Sequence, residues 1–416
     1  MADPKVLAGV SDDALNYLLG PQAIRDRTQQ LFELCEADRL DNFRCDRTRL
    51  DTVTDFVLDT IQQNYPDFEV PFHSRWRHFD VGGVNRLPQL DQALAELSSD
   101  ERAKAKLDLA IVSVLLDAGA GRQWQYRDDA AGQTLTRSEG LAIASFNAFM
   151  QGAFSSDADY PYQVDAQALQ QLTEAALADV FQVSDQNPLV GLVGRLSLLQ
   201  ALGKALMDQP ERFGSGVPRP GNLLDGLKRR YPQQLDAGNL LREVLRGFGA
   251  IWPGRVTLNG VNLGDVWSHP SLSDGSAGTN LVPFHKLSQW LTYSLVEPLV
   301  SAGVSVVNLD ALTGLAEYRN GGLLVDLGFL VPKHPDVIQQ PHRPGSTVVV
   351  EWRALTVVGL DHIADSIRHR LNKTAKELPL IKILEGGTWA AGRRIAKQHR
   401  PDGTPPISLQ SDGTVF

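Results

Sequence analysis

Residues 99–118 read SDERAKAKLDLAIVSVLLDA, and this stretch decides the fold class. Asp100 can cap its start. Leu107, Ile111, Val114 and Leu115 recur at the spacing of one helix face, and Gly119 follows the end. The same period returns along the chain. Thr136 and Glu139 have the spacing of a capping box that opens a helix through Met150. Further helices are predicted over about 22–37, 48–63, 166–182, 189–207, 234–248, 284–301, 350–373 and 379–398. Strand signals are few: 304–309, 323–330, and 254–263 as a hairpin. They do not alternate with the helices, which argues against a doubly wound parallel sheet. The expectation is a mainly α, compact multi-helical fold with a few short strands.

Gly and Pro cluster at 210–222, around 253–283 and at 332–346; the first is the best candidate boundary, yet none is long enough for a free linker. One domain over 1–416 is therefore expected, two-lobed, with lobes 1–215 and 216–416. Hydrophobic residues make up 43% of the chain and charged residues 21%, which rules out a disordered chain. The net charge is −9, which argues against a protein built to wrap nucleic acid, although a local basic patch can still hold one phosphate. Cys35 and Cys45 make no disulfide framework and lack the Cys-x-x-Cys spacing, so both are expected to be reduced in a cytoplasmic protein. The first twenty residues are too interrupted by Asp for a signal peptide, and no window approaches about 18 uninterrupted apolar residues, so no membrane partner is expected. The oligomeric state is left open.

His73-Ser74-Arg75-Trp76-Arg77-His78-Phe79 is the densest polar-aromatic cluster. It follows Pro71 and precedes Gly82-Gly83, which suggests a loop or short extended segment. Two guanidiniums around an indole can grip a phosphate or carboxylate. The alternative is a surface loop with Trp76 packed and the arginines in salt bridges. His73 and His78 are five apart with no carboxylate at ligand spacing, so no metal site is expected. Gly119-Ala120-Gly121 is not the dinucleotide fingerprint and reads as a helix cap. Gly214-Ser215-Gly216 lacks the setting of a nucleophile elbow.

In DALTGLAEYRNGGLLVD, 310–326, Glu317, Tyr318 and Arg319 stand between apolar Leu312, Leu315 and 323–325, and Asn320-Gly321-Gly322 signals a turn. A carboxylate among apolar neighbours beside an Arg suits proton handling or stabilisation of a cation. Equally, it suits a helix end with a local Glu–Arg pair. Lys286, early in an apolar helix after His285, either binds an anion or orients a carboxylate, or else snorkels to water. Glu351-Trp352-Arg353 is an acid–base pair at the start of the 350–373 helix, of a kind that is often structural.

HSRWRHF with its following glycines, LLDAGAG with a Trp after it, LTGLAEYRNGGLLVD and EWRALTV together resemble the uracil-catabolism protein 4 family, over roughly residues 20–400. That family was long known as a domain of unknown function. The resemblance implies pyrimidine degradation through phosphoribosylated intermediates, in which uracil becomes uridine monophosphate, the ring opens, and ribosylurea phosphate and finally urea are formed. The segment of about 280–370 is also distantly similar to the queuosine 5′-phosphate N-glycosylase/hydrolase family. Its Phe-Ala-Asp-Tyr-Arg is matched by Leu315-Ala316-Glu317-Tyr318-Arg319, its Tyr-Lys-Arg-Ala-Gln by His285-Lys286-Leu287-Ser288-Gln289, and its Ile-Arg-Ala-x-Thr by Trp352-Arg353-Ala354-Leu355-Thr356. Glu replaces Asp at 317, moving the carboxylate by about a bond length.

The second resemblance implies a helical architecture related to DNA glycosylases and cleavage of an N-ribosyl bond. Glu317 and Lys286 are then the catalytic pair. Tyr318, Arg319, His285 and Arg353 contact substrate, and His73, Arg75, Trp76, Arg77 and His78 form a second anion-binding cluster. The implied substrate is a small phosphorylated nucleoside derivative, ribosylurea 5-phosphate, with urea and ribose 5-phosphate as products and neither cofactor nor metal. A ureido or amide C–N hydrolase of the same pathway and a non-catalytic intermediate-binding or scaffold protein are the alternatives.

Overall fold

Beyond Ala103 the 99–118 stretch carries apolar side chains on every side. In the computed structural model, which describes residues 5–7, 11–117, 119–121, 123–252, 256–273 and 278–410, the helix runs Ser99–Leu115 and every residue from Leu107 to Leu115 is buried. The one-face reading is thereby corrected, because a helix apolar all round belongs in the core. Its cap is Ser98, not Asp100: the Ser98 hydroxyl accepts from the Glu101 N–H at 3.2 Å. Asp108, in mid-helix, is fully buried. It is held by the Arg219 guanidinium at 2.7 and 2.9 Å and by the N–H groups of Gly221 at 2.6 Å and Val164 at 3.1 Å. That pairing offsets the cost of burying its charge and ties two distant loops to the core.

The main helices are α1 (Pro21–Glu36), α2 (Leu50–Asn64), α3 (Arg75–Phe79), α4 (Ser99–Leu115), α5 (Arg137–Met150), α6 (Leu192–Asp208), α7 (Ala237–Phe248), α8 (Lys286–Ser301), α9 (Tyr318–Asp326), α10 (Thr347–Leu371) and α11 (Trp389–His399). The molecule is mainly α, and no described strand exceeds three residues. α8 packs along α4, α10 along α1, and α9 along α11. β1 (Phe43–Cys45) runs antiparallel to β4 (Leu330–Pro332), and β2 (Val266–Ser268) antiparallel to β3 (Leu281–Pro283), which leads straight into α8. No helix among the described residues is long and apolar enough to cross a membrane.

Several local expectations are revised. The 166–182 helix is two, Ala166–Gln171 and Glu174–Val180, each with its own side-chain cap from Asp165 and Thr173. The 379–398 helix contains a π-helical turn, Leu384–Thr388. A Cβ on Gly386 or Gly387 would lie 2.8 Å from Val70 or 2.7 Å from Val57, so the glycines let this turn press against neighbouring side chains. The expected 323–330 strand is mostly α9, with strand only at β4. Asn320-Gly321-Gly322 makes no turn there: a Cβ on Gly321 would sit 2.6 Å from the Trp352 indole nitrogen, and the glycine is what allows α9 to approach α10. The 304–309 strand shrinks to Val306–Val307, paired with Leu235–Asp236. The hairpin is present as Val256–Leu258 against Val261–Asn262, while Gly254 and Arg255 lie outside the described residues. Within HSRWRHF, Arg75–Phe79 form a short helix, α3, instead of a loop, with Ser74 at its N-cap.

Candidate active site

The first turns of α5, α8, α9 and α11 converge on the C-terminal end of α4, with α3 closing one side. They enclose a cavity of about 240 Å³. α9 begins at the cavity because Glu317 caps it with both carboxylate oxygens: Oε2 accepts from the Arg319 N–H at 2.9 Å and Oε1 from the Asn320 N–H at 2.7 Å. The carboxylate is thereby fixed in orientation while still lining the cavity.

Lys286 opens α8 across from it, and its backbone N–H donates to Asp265 Oδ2 at 3.0 Å. Burial pushes the Lys286 amine below its ordinary range, and the carboxylates of Glu317 and then Asp117 oppose that shift. Arg353 grips Asp265 with two bonds, 2.8 and 2.7 Å, and donates from Nε to the Ala316 carbonyl at 3.2 Å. The Arg353–Asp265 pair therefore pins the start of α8 to the start of α9, and it holds the Asp265 carboxyl far below the usual carboxylate range despite its burial.

One wall is aromatic. The His73 ring lies 6.4 Å from Trp290 and 6.1 Å from Trp389, and the His78 ring 5.8 and 6.0 Å from the same two indoles. Burial, with Arg75 adding repulsion, pushes His78 down to about 4, so it is neutral near pH 7. His73 Nδ1 is 2.6 Å from Glu385 Oε2. Arg319 is 9% exposed and lies over the Tyr318 and Trp389 rings at 5.2 and 6.0 Å. Among the described residues no carboxylate comes within 4 Å of its guanidinium nitrogens. Arg393, by contrast, is paired with Glu139 at 2.6 Å. Four cations (Arg137, Lys286, Arg319 and Arg393) thus share the cavity with three carboxylates (Asp117, Glu139 and Glu317), in a chain of net charge −9. No three His, Cys, Asp or Glu side chains among the described residues group closely enough to hold a metal ion.

Glu317, Lys286, Tyr318, Arg319, His73 and His78 line this one cavity; Arg75, Trp76, Arg77, His285 and Arg353 do not. Residues 75 and 78 share one face of α3, three apart, whereas 76 and 77 turn elsewhere. Trp76 donates to the Ser294 carbonyl at 2.8 Å, and Arg77 pairs with Glu297 at 2.9 Å on another side of the molecule. Arg75 is wholly buried behind Asp117. His285, with a left-handed backbone of φ 47°, turns its Nε2 to the Leu18 carbonyl at 2.8 Å. The expected single anion-binding cluster over 73–78 is therefore split by the helix.

Asp117, Arg137, Glu139, Trp290, Trp389 and Arg393 also line the cavity, and none of them is a site candidate from the sequence alone. Glu139 looked like half of a capping box, but Thr136 makes no side-chain cap bond and Glu139 is spent on Arg393. Gly119 looked like a cap for α4, but α4 ends at Leu115, and only Gly121 of that pair has a left-handed backbone, φ 85°. Asp117, Gly119, Ala120 and Gly121 instead line the cavity. Trp389 and Arg393 are four apart on a helix, the one signal that pointed to a shared face.

Residues 17–416 match the sequence profile of a family described as Protein of unknown function (DUF1688). The chain is 43% identical over 419 residues to Protein urg3 of Schizosaccharomyces pombe (strain 972 / ATCC 24843), covering 98% of this chain and 100% of that one. It is 37% identical over 440 residues to Uracil catabolism protein 4 of Lachancea kluyveri, covering 97% and 99%. The chain belongs to the DUF1688 family. The DUF1688 match spans every residue that lines the cavity, from His73 to Arg393, so the whole site lies within the family region.

Proposed function

We propose that this protein acts in uracil breakdown as an N-ribosyl hydrolase, converting ribosylurea 5-phosphate and water to urea and ribose 5-phosphate. The pathway rests on the name of the Lachancea kluyveri relative. The chemistry rests on one observation: Glu317 and Lys286 line the same cavity as Arg319, which has no carboxylate partner among the described residues.

Cleavage of the C1–N bond passes through a sugar cation, which needs a fixed anion, a placed water and a proton for the leaving nitrogen. Glu317, immobilised by two backbone amides, supplies the anion and takes a proton from the water that attacks C1. That proton passes to the ureido nitrogen as the bond breaks. Lys286 holds Glu317 in its field. Arg319, desolvated and without a carboxylate partner among the described residues, takes the 5-phosphate, with Arg137 as a further cation at the rim. The imidazole and indole faces take the planar ureido group.

A product assay tests this reading. Incubation with ribosylurea 5-phosphate is expected to release urea and ribose 5-phosphate in equal amounts. Ammonia with the ribosyl bond intact would instead mark a ureido C–N hydrolase, and tight binding without turnover a non-catalytic binding protein. The thiol route to the former finds no support at the cavity, because Cys35 and Cys45 sit 3.0 Å from each other between α1 and β1 and neither lines the site.

A further inference from the structure

Asp117 has no part in the mechanism above, yet it is a carboxylate of the same cavity. Its side chain is 8% exposed. Oδ2 stands 3.3 Å from Arg75 Nη1, and Oδ1 is buried with no hydrogen-bond partner among the described residues. A buried carboxylate oxygen without a donor is costly and calls for a reason. Arg75 behind it is anchored deeply: Nε donates to Ser113 Oγ at 2.7 Å, Ser113 Oγ lies 2.6 Å from Ser145 Oγ, and Ser145 Oγ donates to the Ala142 carbonyl at 2.8 Å. A buried network joining α4 to α5 thus ends on Asp117, a residue that lines the same cavity as Glu317 and Lys286.

We infer that Asp117 Oδ1 accepts a hydrogen bond from the 2-hydroxyl of the bound ribose, and that Arg75 acts through Asp117 as a positioning residue. The inference rests on the N-ribosyl hydrolase reading. An acceptor-only oxygen needs a donor from the ligand. The cationic donors of the cavity have the phosphate and Glu317 to serve. With C1 at Glu317, the 2-hydroxyl is the neutral donor on the neighbouring carbon, and Asp117, Glu317 and Lys286 all line the one cavity. Bonds to a 2-hydroxyl strengthen as the sugar becomes cationic, so this contact would favour the transition state as well as binding.

Calorimetric titration with ribose 5-phosphate and 2-deoxyribose 5-phosphate tests the contact apart from turnover. The wild type is expected to bind the ribose compound about 10- to 100-fold more tightly, as for a hydrogen bond to a charged group. Asp117→Asn, nearly isosteric, should bind the two within about 3-fold of each other. Arg75→Lys, which keeps the charge but not the fork, should narrow the difference without abolishing binding. Equal affinities in the wild type overturn the contact even if urea is released. Discrimination that persists in Asp117→Asn overturns its assignment to Asp117. Discrimination lost in Asp117→Asn, with no urea released by the wild type, upholds the contact and removes the hydrolase reading. Failure to bind either sugar overturns both.

Discussion

Glu317 carries two loads on one side chain. It caps α9 and it faces the cavity, so a substitution tests both at once unless stability and turnover are read separately. Glu317→Gln keeps an acceptor for one amide and should lower stability by only about 1 kcal/mol, measured by urea denaturation. His78 gives a second residue-level prediction. Its value in the fold, about 4, lies below its ordinary 6.5, so the unfolded chain binds the proton more readily. Stability should therefore fall as pH drops from about 6.5 toward about 4, by up to roughly 3 kcal/mol, and the slope in that window should flatten in His78→Asn. The groups facing His78 are Arg75, Asp117, Glu139 and Glu385. Asp265 loses its stabilising pairing only at lower pH, because its carboxyl is held so far down. A pH profile unchanged by His78→Asn would contradict the burial assigned to it. Glu317, Arg319 and Lys286 were legible in the sequence because charge set among apolar residues is unusual. Asp117 and Glu139 were not, because a carboxylate beside a helix end has an ordinary local reading, and only tertiary packing turned these two inward.

At the level of elements, the site depends on how closely α9 is gripped. A Cβ on Gly392 of α11 would collide with the Arg319 carbonyl. Gly392→Ala should therefore cost about 1–3 kcal/mol by overpacking and, by displacing the turn that carries Glu317 and Arg319, should also weaken ribose 5-phosphate binding. Gly194 in α6 is the control: nothing lies within 4 Å of a Cβ there. Gly194→Ala should stabilise by about 0.4–1 kcal/mol, with binding unchanged. Thermal unfolding and calorimetry of the two variants check both halves, and equal effects would contradict the packing argument. The long helices were legible from their period. α9 was not, because Asn-Gly-Gly is a turn signal to local chemistry and a close-packing surface only once Trp352 is opposite it. The buried flank of α4 was missed for a related reason, since periodicity locates one apolar face and the polar Asp108 hides the other.

Across the whole molecule, the cavity draws on residues 73–139 and 286–393, on both sides of the Gly/Pro-rich segment near 215. A ligand there should stabilise the chain as one unit: ribose 5-phosphate at 100 times its Kd should add about 2.7 kcal/mol to a single unfolding transition. Two transitions of which only one moves would show that the halves unfold independently. Because the cavity gathers cations in an acidic chain, that binding should also weaken with added salt. The combined motifs reached the family before any single motif reached the chemistry, since each alone also had a structural reading. The central claim is that the Glu317 carboxylate acts at the ribosyl carbon. It is tested most directly by single-turnover release of urea from ribosylurea 5-phosphate, comparing the wild type with Glu317→Gln at matched saturation. Ribose 5-phosphate should still bind the variant while urea release falls by about a hundred- to ten-thousandfold; near-normal release by Glu317→Gln would rule that role out.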